Sequence, residues 1–73
     1  MNERPVIGAL YRHYKGGLYR VLTVARHSET LEEMVVYVNA NDPALVWARP
    51  ASMWQETVET KDGKVFRFTI VEE

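Results

Sequence analysis

Polar and apolar residues alternate with a period of two over most of the chain, the signature of half-buried strands rather than of helices. The first strand is expected over about Ile7 to Tyr14, ending at the turn Lys15-Gly16-Gly17. The second runs from Leu18 to His27. It carries apolar residues on both faces, with Tyr19, Val21 and Ala25 on one and Leu18, Leu22 and Val24 on the other, which predicts a central strand. Glycine accepts the positive φ of a tight hairpin turn. A two-residue Gly16-Gly17 loop pairs Tyr14 with Tyr19, whereas a three-residue loop sets Arg12 against Arg20. Like charges directly opposite are unfavourable, so the first register is expected.

Ser28 to Glu33 is a polar connection in which Thr30 and Glu33 have capping-box spacing. Met34 to Asn39 and Leu45 to Arg49 are the next strands, separated by the turn Asn41-Asp42-Pro43. Pro50, without an amide proton, ends the ladder and can open a short helical turn over Ala51 to Trp54. Gln55 to Glu59 and Val65 to Val71 flank Asp62-Gly63, the strongest hairpin signal present. In the last strand Phe66, Phe68 and Ile70 share one face and Arg67 and Thr69 the other, and Glu72 and Glu73 are expected to fray. Five or six short antiparallel strands with one helical turn near 50–54 predict a mainly all-β barrel or roll. A barrel this small fills its interior with its own side chains, so a ligand has to sit on the surface, at an open edge or between two copies.

The 73 residues are enough for a single domain, with a core over about 7–71, and too few for two. With no cysteine, neither a disulfide nor a thiolate metal site can assist folding, and dimerisation would be a natural supplement. No apolar run reaches membrane-spanning length and Met1 to Pro5 is polar, so a cytoplasmic protein that stays off membranes is expected. The net charge of −1 is uninformative, but its distribution is not. Residues 1–27 hold five Lys and Arg against one acid, and residues 28–73 hold four against nine. Either a basic surface results, or the acidic later strands neutralise the basic early ones.

The chemistry-bearing residues favour binding over catalysis. His13 and His27, the two histidines, would need Glu29 to make a metal site, and along a straight hairpin they stand roughly 20 Å apart at ~3.3 Å per residue. His27-Ser28-Glu29 contains a base, a hydroxyl and an acid, but adjacent strand residues point to opposite faces, so Ser28 reads as a turn residue. Gly16-Gly17 precedes no helix and is not a phosphate loop. Nothing in the chain signals a cofactor. What remains is an alternation of aromatic and basic residues: Tyr11, Arg12, His13, Lys15, Arg20, Arg26 and His27, with neighbouring Ser28, and a second cluster of Trp47 and Arg49 on one strand face. Such groups hold single-stranded nucleic acid, cations following phosphates while rings stack on bases. The competing reading puts the tyrosines, Trp47 and Trp54 into the core.

Tyr11-Arg12-His13-Tyr14-Lys15-Gly16, Ala25-Arg26-His27-Ser28-Glu29-Thr30, Val35-Val36-Tyr37 and Trp47-Ala48-Arg49-Pro50, in that order and spacing, closely resemble the bacterial domain-of-unknown-function family 1653, from about Gly8 to Phe68. The resemblance implies an SH3-like roll and brings no activity, ligand or catalytic residue with it. One departure is Trp54, where the family pattern has a Phe-like aromatic after Met53. The expected function is a non-catalytic binding module with an aromatic and basic surface, its partner left open between a protein or peptide and nucleic acid. The alternatives are a binder of single-stranded nucleic acid or a phosphate ligand, and an enzyme whose site is completed across a homodimer.

Overall fold

The fold, described for residues 5–73 by a computed structural model, contains seven strands among those residues: β1 (Leu10–His13), β2 (Leu18–Arg26), β3 (Glu33–Asn39), β4 (Asp42–Pro50), β5 (Thr57–Thr60), β6 (Gly63–Phe66) and β7 (Phe68–Val71). A single 3₁₀ turn, Ala51–Met53, follows Pro50. Every pairing is antiparallel. Five strands form one sheet in the order β4-β3-β2-β1-β7, and β5 with β6 makes a separate ribbon. The mainly all-β expectation holds, and β2 is central. Glu3 and Arg4, which enter the charge distribution above, lie outside the described residues.

Three registers differ from the sequence reading. The β1–β2 hairpin takes neither loop considered. His13 N–H donates to Gly17 O at 2.7 Å, closing a loop of Tyr14, Lys15 and Gly16 with Gly16 at φ 108°. Tyr11 then faces Tyr19, and Arg12 and Arg20 lie opposite Leu18 and Leu10. The like-charge clash that disfavoured one register is thus avoided by another. In β2 a bulge between Val21 and Thr23 reverses the alternation. Val24 consequently joins Val21 on the inner face, against Val35, and Leu22 is exposed rather than buried.

The third difference is the last strand, which breaks at Arg67. Arg67 N–H donates to Glu56 O at 2.8 Å, and the chain passes from the ribbon, where Phe66 pairs with Thr57, to the main sheet, where Phe68 pairs with His13. Phe66 is therefore 53% exposed and Phe68 only 6%, although a continuous strand would put them on one face. β4 in turn begins at Asp42, three residues early. Asn39 Oδ1 and Asp42 Oδ1 accept backbone N–H groups of Asn41 and Ala44, which tightens the β3–β4 connection. Pro43 is tolerated because β4 is an edge strand.

The inner face of the main sheet carries the core: Tyr11, Val21, Val35, Tyr37 and Phe68, closed by Trp54 from just beyond the 3₁₀ turn. Trp54 stacks flat on Phe68, with ring centroids 3.9 Å apart and planes 4° apart. Tyr11 and Tyr37 meet the indole edge-on at 5.2 and 5.0 Å. Such pairs are worth about 0.5–1.5 kcal/mol each beyond the area they bury. Trp47, at 50% exposure, is not a core residue, contrary to the reading that buries both tryptophans.

Candidate functional site

Phe68 has two roles. One is the stack with Trp54; the other is to be the floor for two cation-capable side chains, with a third, Arg67, near enough for its charge to act on His13. The His13 ring stands edge-on to it at 5.0 Å. The Arg49 guanidinium lies 5.7 Å from its centroid, within cation–π range. Arg67 precedes it in the chain, with its carbonyl accepting the Tyr14 N–H at 2.9 Å and its side chain 3.5 Å from Glu56. Pairing geometry explains why His13 and Arg49 share this face. His13 lies opposite Phe68 and Arg49 opposite Val35, and directly opposed residues in an antiparallel pair project to the same side.

The electrostatics are one-sided. Burial first, then the positive charges of Arg67, Arg49 and Lys15, lower the pKa of His13 from its ordinary value. Its Nδ1 accepts the Lys15 N–H at 3.2 Å, so the proton of the neutral ring sits on Nε2 as a further donor. Three side-chain nitrogens are buried without an acceptor among the described residues: Arg49 Nε, Arg67 Nε and Trp54 Nε1. All three are donors, and buried donors are seldom left unpaired.

Of the ten residues singled out by sequence, His13 and Arg49 meet at Phe68, and Lys15 lies close enough for its charge to act on His13. Lys15 Nζ sits 5.8 Å from the Tyr14 ring centroid. Trp47 shares the inner face of β4 with Arg49. The other six lie elsewhere. Tyr11 is buried, and its hydroxyl accepts the Val6 N–H. Arg12 and Arg20 project from the outer face. Arg20 donates to Gly8 O and, through both terminal nitrogens, to Glu73, so the C-terminal residue expected to fray is held. Arg26 donates to Leu31 O. Ser28 is exposed in the turn that follows β2. His27 organises that turn: its Nδ1 accepts the N–H groups of Glu29 and Thr30, and its carbonyl accepts that of Leu31, which sits at φ 66°. The Thr30 hydroxyl accepts the N–H of Glu32, two residues on, where a capping box would use the third.

The sequence reading missed Arg67 and Phe68 as site residues and placed Trp54 only in the core. Alternation put Arg67 on the face opposite Phe66 and Phe68, and the strand break at Arg67 has no glycine or proline to mark it.

Fold and site together define a small, nearly all-β domain whose sheet carries aromatic residues and unpaired cationic donors on one face. The chain belongs to the DUF1653 family, proteins of unknown function, whose pattern it matches over residues 9–70. It is similar to a crystal structure of a DUF1653 protein from Bordetella bronchiseptica: 40% identity, a TM-score of 0.79, and coverage of 96% of this chain and 88% of that one. No curated protein matches. Among the described residues no helix is long and apolar enough to cross a membrane.

Proposed function

We propose that the protein is a non-catalytic, cytoplasmic binding module, an SH3-like roll that recognises an anionic segment of a protein partner on the inner-face rim of β1, β4 and β7. His13, Lys15, Arg49 and Arg67 supply the recognition, and Trp47 offers an exposed aromatic surface beside them. The observation that carries this reading is the cluster of cations around the Phe68 floor, where Glu56 is the only ion-pair partner among the described residues. Cations that are not neutralised internally steer and orient a charged partner. Catalysis is disfavoured because no side-chain hydroxyl hydrogen-bonds either imidazole among the described residues: both Nδ1 atoms accept backbone N–H groups.

A second reading, single-stranded nucleic acid, is favoured by one feature: an indole 50% exposed on the strand face that carries Arg49. Base stacking on an exposed ring is worth about 1–3 kcal/mol per base. Fluorescence anisotropy with a labelled acidic peptide and a labelled oligothymidylate, at about 50 and 200 mM salt, separates the two. Binding of the peptide, weakened by salt and by Arg49→Gln, supports the first reading, and preferential binding of the oligonucleotide, lost in Trp47→Ala, supports the second. If neither probe binds at about 100 μM protein and low salt, the module reading fails.

A further inference from the structure

The geometry points to a phosphate-binding site in which Arg49, Arg67 and His13, with the Trp54 indole N–H, take one tetrahedral oxyanion at the edge of Phe68. This deepens the proposed function and rests on it in one respect only, that the rim of this face binds ligands.

The argument begins with the sign of what is missing. Arg49 Nε, Arg67 Nε and Trp54 Nε1 are three buried donors, and the described residues offer none of them an acceptor. His13 adds Nε2–H, because its Nδ1 is committed to the Lys15 N–H. The complement of four donors is a group made of acceptors. That excludes a cation by charge, and a hydroxyl or amine, although it can accept hydrogen bonds, brings no negative charge to answer the arginines.

Charge then narrows the class. Arg49, Arg67 and Lys15 all act on His13, and Glu56 beside Arg67 answers one of them. A singly charged carboxylate can accept four hydrogen bonds but leaves part of the charge uncompensated. A phosphomonoester near neutral pH carries about two negative charges on three terminal oxygens, and the charge matches the two cations that Glu56 leaves unanswered. Guanidinium forks are shaped to bond such oxygens in pairs. The wall of Phe68, Trp54 and Tyr37 lies within 6 Å centre to centre and keeps the surroundings apolar, where charge-assisted bonds are stronger than in water. Exposed Trp47, on the same strand face as Arg49, is placed to take whatever body the phosphate is attached to.

The test is a titration of the ¹⁵N-labelled full chain with inorganic phosphate at constant ionic strength, following the indole N–H of Trp54 and the Nε–H of each arginine by NMR. Trp47→Phe assigns the indole signals without touching the core. The expected result is saturable movement of Trp54, Arg49 and Arg67, with Arg12, Arg20 and Arg26 stationary. Arg49→Gln and Arg67→Gln should each weaken phosphate by about tenfold or more, the usual size of a lost hydrogen bond to a charged group. The His13 imidazole, which faces Lys15, Tyr14, Tyr19, Arg49 and Arg67, should titrate at higher pH once phosphate is bound.

Arms with adenosine monophosphate and O-phosphoserine identify the source of the phosphate, since the true body adds affinity to the shared group. Acetate binding as tightly as phosphate would overturn the assignment. So would a linear, unsaturable response, or equal movement of the outer-face arginines. The wild-type titration does not depend on any variant folding. Phosphate moving Trp54 while the acidic peptide and oligonucleotide fail to bind would keep this site and remove the wider surface. Peptide binding with Trp54, Arg49 and Arg67 unmoved would do the reverse.

Discussion

Replacing Trp54 by Phe should leave the fold nearly as stable as before, whereas replacing it by Ala should remove much of its stability. Trp54 is 1% exposed, stacked on Phe68 and met edge-on by Tyr11 and Tyr37. Truncation to Ala removes all three ring contacts, and an aromatic-to-Ala change in a core costs about 3–5 kcal/mol. A domain of this length has in total about 4–11 kcal/mol, at 0.05–0.15 kcal/mol per residue. Trp54→Phe differs in kind. Two fewer carbons lose about 1.6 kcal/mol, at 0.8 kcal/mol per buried carbon. Against that, the change deletes the buried Nε1–H, which finds no acceptor among the described residues; such an orphan costs about 1–3 kcal/mol. The two effects offset, and the net change should lie between about 0.6 kcal/mol destabilising and about 1.4 kcal/mol stabilising. Urea denaturation followed by circular dichroism, with Trp47 fluorescence as a second probe, measures both variants, and unchanged m-values confirm the comparison. The Ala variant should lose at least about 12 °C in Tm, at 4–8 °C per kcal/mol for a domain this small. If Trp54→Phe is as damaging as Trp54→Ala, the account of Nε1 as an unpaired donor is wrong.

Three other outcomes follow from the same geometry. The pKa of His13 is lowered on folding, so the unfolded chain binds more protons below about pH 6.5 and stability should fall as the pH drops through that range; Tm between about pH 7.5 and 5 measures this, and His13→Gln should flatten the curve. The Glu73 pKa is lowered by its hydrogen bonds and ion pair with Arg20, so the little this pair contributes should be lost only at more acidic pH, below about 4.5; the pair lies at the surface, and Glu73→Gln at physiological salt should barely change Tm. Gly16→Ala meets no atom within 4 Å of the new Cβ, yet should cost about 1–2 kcal/mol in urea titration, because φ 108° is strained for any L residue; a neutral result would show that the loop relaxes.

The sheet was legible in the sequence because period-two alternation and turn residues are local signals. Gly16, Asp62-Gly63 and Pro50 all mark the boundaries they were expected to mark. Two errors share one cause, a change of direction without a local marker. The bulge at Leu22 inserts one residue and moves Val24 to the inner face, and nothing in Val21-Leu22-Thr23-Val24 announces it. The break at Arg67 separates Phe66 from Phe68, because the backbone bond to Glu56, a distant partner, is what fixes it. Alternation across the run from Val65 to Val71 looks the same whether it is one strand or two. For the site, His13 and Arg49 were found because the aromatic and basic pattern marks both, but the same pattern also admitted Arg12 and Arg20. Pleat parity alone places those two on the outer face. Arg67 could not be found by parity, since it sits where parity resets.

The core and the proposed site share Phe68 and Trp54, so occupancy and stability should be coupled. A ligand that binds only the folded chain at ten times its Kd adds about 1.4 kcal/mol, which in a domain this small raises Tm by roughly 6–11 °C. Phosphate also stabilises proteins generally, through exclusion from their surfaces, so a rise in Tm alone would not locate the effect. Arg49→Gln separates the two contributions. Surface exclusion does not depend on one guanidinium, whereas binding at the Phe68 edge does, because Arg49 is the inner-face arginine without a carboxylate partner among the described residues. The Tm gain with phosphate should therefore be saturable in the wild type and shrink to a shallow, linear slope in Arg49→Gln. Arg20→Gln, altered at an outer-face ion pair, should keep the saturable gain. Equal gains in all three proteins would mean that the buried donors hold no anion, and that Arg49 serves the aromatic core by covering Phe68.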